Sequence, residues 1–257
     1  MTASDRWLTG LEQRHFSRLT FQEVSRALRA LSATYVERRD RLREGAALSG
    51  AGKRAAFAVF YGPLHYLLVR EIVQAIGGQE RAVPRRGGPA LSGPATLIDL
   101  GCGTGAAGAA WAEACDPHPQ VVGVDTHPWA LAEAAHTYRD FGLQARTVRG
   151  DAASFVWPRT RAMILAAFVV NELRDASRDA MLRRLLDRAA AGDRVLVVEP
   201  LARSVARWWP DWKRAFLAAG GRADEWRFHV ELPSLVAKLD RAAGLDHREL
   251  TGRSLYI

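Results

Sequence analysis

The run Asp99-Leu100-Gly101-Cys102-Gly103-Thr104-Gly105 holds the residue types best suited to binding chemistry. It lies between TLIDL, which reads as a short buried strand, and AAGAAWAEA, which reads as a helix of small residues. Glycines there let the backbone take positive φ and let a ligand approach closely. Two ligand classes compete. A dinucleotide site uses G-x-G-x-x-G/A, which Gly101, Gly103 and Ala106 match. Its pyrophosphate rests on a helix N-terminus, where nearby negative charge is unwelcome. S-adenosylmethionine has no phosphate but carries a sulfonium and an ammonium, so the Asp99 carboxylate suits it. Asp125 ends the next strand, VVGVD, and a carboxylate there can accept from two ribose hydroxyls of either ligand. Asp151 ends the third strand, in Arg149-Gly150-Asp151-Ala152, where it can take an adenine amino group.

Those acids need strands that end side by side. From residue 96 the chain alternates strand and helix: TLIDL, VVGVD, QARTVRGD, RAMILAAFVV and DRVLVVEP are strands, with AAGAAWAEA, PWALAEAAHTYRDF and ASRDAMLRRLLDRAAAG between them. Such alternation predicts an α/β, doubly wound, mostly parallel sheet with right-handed crossovers. Residues 1–76 read as a helical cap. A capping box at Thr20-Phe21-Gln22-Glu23 opens one helix, with Phe21, Val24, Leu28, Leu31 and Tyr35 on one face and Gly45 as its stop. A second helical stretch from Lys53 is predicted to break at Gly62-Pro63 and resume to Ile76. Residues 77–95, rich in Gly and Pro, read as a linker, and 96–257 as the ligand-binding domain. In the tail, SVARWWPDWKRAFLAAG is a helix broken at Pro210, LPSLVAKLDRAAG is another helix, and LDHREL-TG-RSLYI reads as a hairpin.

The composition is that of an ordinary globular chain: 257 residues, 48% hydrophobic and 25% charged. Two cysteines, Cys102 and Cys115, support neither a disulfide scaffold nor a metal cluster, so no metal is expected. The first residues lack an apolar signal core, and the longest apolar run, 162–170, is far short of a membrane span. A soluble, cytoplasmic protein without a membrane partner is the expectation. The net charge of +8 admits RNA. All but three of the 36 basic residues are arginine, spread along most of the chain, which codon bias would also produce.

DLGCGTG, VVGVD and RGDA, in that order and spacing, resemble class I S-adenosylmethionine-dependent methyltransferases, a Rossmann-like fold. The resemblance implies a cofactor site of Asp99, Gly101, Cys102, Gly103, Gly105, Asp125, Thr126, Asp151, Ala152 and Phe168, with S-adenosylhomocysteine as product. From about residue 60 the chain also resembles the methyltransferase-like family associated with the mitochondrial small ribosomal subunit and its bacterial relatives. Tyr61-Gly62-Pro63-Leu64-His65-Tyr66, Phe168-Val169-Val170-Asn171-Glu172-Leu173, Leu196-Val197-Val198-Glu199-Pro200 and the segments around Trp226 and Gly252 carry that likeness. That family's iron–sulfur cysteines are missing, and Arg227 stands where one would be. The likeness implies RNA or a ribosomal subunit as partner. A small-molecule or peptide acceptor, or a non-catalytic assembly role, is the alternative.

Methyl transfer is an in-line displacement dominated by positioning, with a base only where the acceptor has a proton to lose. Neither cysteine sits where pyrimidine C5 chemistry needs one. The Asn-Pro-Pro-Tyr motif of exocyclic-amine transfer is absent, and three lysines do not make a ribose 2′-OH site. Glu172, Asn171 and His65 are the candidate catalytic residues, with Tyr61 able to close over the cofactor. Glu172 also fits a plain helix-start carboxylate, and Tyr61 and His65 fit an apolar helix face. Glu199 fits a bond across the strand ends or a structural role, and His127 a contact to adenine or a helix start. Trp208, Trp209 and Trp212 suit stacking on a base or, as aromatic stripes usually do, packing of the tail helix.

Overall fold

The computed structural model describes residues 1–37, 48–82, 95–201 and 206–257. Seven strands form one sheet: β1 (Thr96–Leu100), β2 (Gln120–Asp125), β3 (Ala145–Arg149), β4 (Met163–Ala167), β5 (Arg194–Glu199), β6 (Arg222–His229) and β7 (Glu249–Tyr256). Their order is β3-β2-β1-β4-β5-β7-β6. The first five pair in parallel, and β7 runs antiparallel between β5 and β6. The strand order reverses between β1 and β4. A crevice opens there, outside the carboxyl ends of the strands, and it is where ligands bind in such sheets.

Side-chain alternation splits the core into two layers. Leu97, Val121, Leu165, Leu196 and Val198 face helices α1 (Ala3–Phe16), α2 (Phe21–Glu37), α3 (Ala51–Ala56), α4 (Gly62–Ala82), α5 (Ala106–Glu113), α6 (Pro128–Asp140) and α9 (Ser234–Ala243). Ile98, Val122, Ile164, Val195 and Val197 face α7 (Asp175–Ala190) and α8 (Trp209–Ala218). The N-terminal helices therefore share a core with the sheet. Trp7 of α1 is buried and donates its indole N–H to Thr137 of α6 at 3.1 Å. Arg14 and His15 reach Glu133 of α6 from the same helix.

The doubly wound prediction holds, and the Thr20–Glu23 capping box forms in both directions. Four local expectations need correction. Gly62-Pro63 does not break the helix: a π turn, Phe57–Tyr61, joins α3 to α4, and the Gly62 N–H donates to the Phe57 carbonyl five residues back. Pro63 has no N–H to give, and the widened ladder accommodates it. Helix α4 also continues through Gly77-Gly78 to Ala82, so the first residues of the expected linker are helical. The stretch Ala51–Gly78 is long and apolar enough to cross a membrane, but its apolar window lies mostly in the core. Pro210 opens α8, in the first turn, where its missing N–H costs nothing. The Thr251-Gly252 turn is absent: β7 runs straight through it and pairs with β6, a strand the sequence pattern had not shown. A Cβ on Gly252 would come within 2.9 Å of Leu68, so this glycine serves a close approach. The expected stop at Gly45 lies outside the described residues.

Candidate functional site

The glycine loop follows β1 at the crevice. Gly101, Gly103 and Gly105 all have positive φ, at 66°, 52° and 76°. Gly101 is required twice over, because a Cβ there would lie 2.3 Å from Val169 Cγ2. Three amides of this loop are already committed. Cys102 N–H donates to Val124 O at 2.9 Å and Gly105 N–H to Cys102 O at 2.7 Å. Gly103 N–H donates to Asp125 Oδ2 at 2.9 Å. The other oxygen of Asp125 accepts from His127 N–H at 2.8 Å. A phosphate cradle needs free amides and no competing anion. Here a carboxylate holds the central amide, so the loop does not suit a pyrophosphate. Half-exposed Asp125 keeps an open lone-pair direction on each oxygen and fits a pair of vicinal ribose hydroxyls.

Asp99 is not in the crevice. It is 1% exposed beneath the loop, and its Oδ2 accepts from Gly108 N–H at 3.1 Å and Tyr138 O–H at 3.0 Å. Burial pushes it up to about 7, against those two donors. The sequence reading gave it the cofactor's cation; the structure makes it the support of the loop and of the first turn of α5. Gly108 is the matching surface, since a Cβ there would meet Asp99 Oδ2 at 2.4 Å. The Cys102 side chain is likewise buried, under β2 near Gly123, so only its backbone belongs to the loop.

Asp151 and Thr126 are exposed at the ends of β3 and β2, and Ala152 is buried beside them. Asp151 Oδ1 accepts from Ala153 N–H at 2.7 Å, which fixes the turn. His127 caps α6, its Nδ1 accepting from Trp129 N–H at 3.2 Å.

The continuous helix α3–α4 crosses above the loop. A Cβ on Gly62 would sit 3.2 Å from Thr104 Oγ1, and the Phe57 ring lies 3.7 Å from where a Cβ on Gly103 would be. One turn on, His65 stacks on Phe168, ring centroids 3.9 Å apart at 16°. Tyr61 lies between, 6.1 Å from Phe57 and 6.2 Å from His65. Burial pushes His65 down to about 3, so the imidazole is neutral, and pushes Tyr61 up to about 12 against a bond from Ser32. Phe168 has φ of 60°, a strained value for an aromatic residue.

After Phe168 the chain makes a tight turn, Val170–Glu172. Glu199, fully buried at the end of β5, accepts there from Val170 N–H at 2.9 Å and Asn171 N–H at 3.3 Å through Oε1. Its Oε2 accepts from Asn171 Nδ2 at 2.5 Å. The Asn171 carbonyl end accepts from Trp208 Nε1 at 2.9 Å. Both ends of the Asn171 amide are thus engaged, and this residue positions rather than reacts. Arg178 of α7 holds the turn's carbonyls, donating to Val170 O at 3.2 Å and Leu173 O at 2.7 Å.

Glu172 is the carboxylate left to work. Its side chain is accessible, yet the surrounding protein and the Asp125 charge push it up to about 7. The influence of the Asp125 charge ties the two carboxylates to the same end of the sheet. Trp208, Trp209 and Trp212 are all buried against the sheet, so none offers a stacking face to solvent. Phe57 was missed from sequence, although 57, 61 and 65 recur at helical spacing. Tyr138 was missed too, and nothing in its helical context marks it as the partner of Asp99.

Residues 97–192 match the methyltransferase domain family. Among solved structures, a candidate O-methyltransferase from Nostoc punctiforme PCC 73102 aligns over 99% of this chain and 72% of its own, at 14% identity and TM-score 0.50. The N-methyltransferase NodS of Bradyrhizobium japonicum WM9, in complex with S-adenosyl-L-homocysteine, aligns over 75% of this chain and 87% of its own, at 13% identity and TM-score 0.45. A candidate RNA methyltransferase from Pyrococcus horikoshii aligns over 74% and 83%, at 14% identity and TM-score 0.46. No curated protein matches the sequence. At such identities the likeness is one of fold: a Rossmann-like methyltransferase sheet with added N-terminal helices.

Proposed function

We propose that this chain is an S-adenosylmethionine-dependent methyltransferase with a small, proton-bearing acceptor. The observation that carries the cofactor assignment is the bond from Gly103 N–H to Asp125, which gives the glycine loop a carboxylate where a dinucleotide site would hold phosphate. When bound, S-adenosylmethionine supplies an electrophilic methyl on its sulfonium. The chain's residues do the rest. Asp125 accepts from the ribose hydroxyls, and Asp151 takes the adenine amino group. Phe57, Tyr61, His65 and Phe168 wall the cleft and exclude water. Glu172, balanced near neutrality, takes a proton from the acceptor as the methyl arrives. The neutral His65 is a wall residue first.

The acceptor assignment rests on the cap. Helix α3–α4 covers the loop, aromatic rings and a carboxylate face the cleft, and the tryptophans are spent on packing. An RNA acceptor, with the ribosomal subunit as its setting, is the second reading; the +8 charge and the motif likeness support it. Calorimetry with S-adenosylhomocysteine tests the cofactor: binding is expected, and its absence in folded protein overturns the proposal. Filter binding of RNA across a salt series separates the acceptors. A steep salt slope with strong binding at low salt would displace the small-acceptor reading.

A further inference from the structure

The turn that carries Glu172 is held by more than packing requires. A buried carboxylate costs several kcal/mol to desolvate, and it is stable only where donors surround it. Glu199 is fully buried and receives three N–H groups, all from Val170 and Asn171. The polarity of this cluster is fixed. An indole N–H can only donate, so the carbonyl end of Asn171 must face Trp208 and its NH2 must face Glu199. Burial pushes Glu199 up to about 8, against the Asn171 and Val170 amides that donate to it. Arg253, its cross-strand neighbour on β7, supplies balancing charge. That guanidinium is 4% exposed and lies over the Trp209 ring at 4.1 Å. Arg178 grips the same turn by its carbonyls from the other side. Strain at Phe168, the buried Glu199 carboxyl and the Arg178 clamp converge on this turn, whose last side chain is Glu172.

Resting on the methyltransferase reading, we infer that Glu199 is a positioning residue, which through Asn171 and Trp208 sets the turn so that Glu172 stands in the cleft beside the transferred methyl. A purely structural Glu199 would protect the fold and leave the behaviour of Glu172 alone. A positioning Glu199 controls how Glu172 senses the sulfonium. The ionisable groups around this turn are Asp125 from β2, Glu199 from β5, Arg253 from β7, Arg178 from α7 and His65 from α4.

The test compares affinities of S-adenosylmethionine, which is cationic at sulfur, and S-adenosylhomocysteine, which is not, in the full chain by calorimetry from about pH 6 to about pH 8.5. In wild type the ratio of the two affinities should climb about tenfold as Glu172 ionises, the order expected for a nearby charge pair screened by protein and water. Glu172→Gln should flatten the climb. Asn171→Ala, which leaves the Glu199 carboxyl and its own titration in place, and Glu199→Gln, which removes both, should each reduce it to less than about threefold while S-adenosylhomocysteine affinity stays within about threefold, on the same electrostatic scale. Trp208→Phe removes one N–H with little change of shape, and should fall between wild type and Asn171→Ala. If Glu199→Gln does not fold, the Asn171 and Trp208 variants decide. A full climb in those variants, or a flat wild-type ratio with normal S-adenosylhomocysteine binding, overturns the positioning role alone. Failure of wild type to bind S-adenosylhomocysteine overturns the methyltransferase reading and this inference with it.

Discussion

Asp125→Ala is the most informative single substitution. The carboxylate has two protein partners, Gly103 N–H at 2.9 Å and His127 N–H at 2.8 Å, and in the proposed complex two ribose hydroxyls besides. Asp125 is half-exposed, so water can replace it at both amides and the free protein should lose little. The ribose bonds are different, because the ligand covers them. Hydrogen bonds to a charged group contribute about 1.5–3 kcal/mol each, and partial rehydration brings the pair to about 2–4 kcal/mol. That corresponds to a rise in Kd of roughly 30- to 1000-fold. A thermal scan gives an independent readout. S-adenosylhomocysteine at about 100 times its wild-type Kd should stabilise the wild type by about 2.7 kcal/mol, a Tm rise of several degrees. At the same concentration the variant should show about a third of that rise or less. A folded Asp125→Ala protein whose Kd lies within about threefold of wild type, a difference of only some 0.6 kcal/mol, refutes the ribose assignment.

Gly101→Ala should destabilise the fold by about 2–4 kcal/mol, from the positive φ and from overlap with Val169. Urea denaturation measures it, and Val169→Ala should recover part of the loss; an effect under about 0.5 kcal/mol would contradict the contact. Asp99 offers a pH signature. Its folded value is raised by burial from 3.8 to about 7, so its favourable contribution is complete below the lower value and lost as the pH rises to the upper one. Asp99→Asn keeps an acceptor for Gly108 and Tyr138, and should flatten the stability profile between those limits. A profile with the wild-type slope would show that Asp99 ionises freely.

The parallel half of the sheet was legible because buried strands and small-residue helices carry local signals: TLIDL became β1 without an error at either end. Strand β6 was illegible for a physical reason. Its burial alternates only weakly and its polar residues, from Arg222 to His229, pair along an edge. The Thr251-Gly252 pair looked like a turn because glycine's close-approach role depends on Leu68, which is distant in sequence. In the site, Asp125 and the three glycines were readable from spacing. Asp99 was misplaced because the pattern gives a side chain's position along the strand but not its side of the loop. Asn171 was read as reactive because its two partners, Glu199 and Trp208, lie 28 and 37 residues away.

The π turn at Phe57–Tyr61 sets a rotational phase. A π turn holds one residue more than the α-helical turn it replaces, and each residue of a helix advances its faces by about 100°. The π turn takes up its extra residue within one full turn, so α3 and α4 stay in phase. Deleting one residue here, such as Ala58, would let the segment relax to a regular helix with its flanks still in register. The ring over Gly103 and His65 on Phe168 would keep their faces. The same deletion between Gly62 and His65, where no wide turn absorbs it, would carry everything before it round the axis by about 100°. The roof over the glycine loop therefore has one place along this helix built to lose a residue.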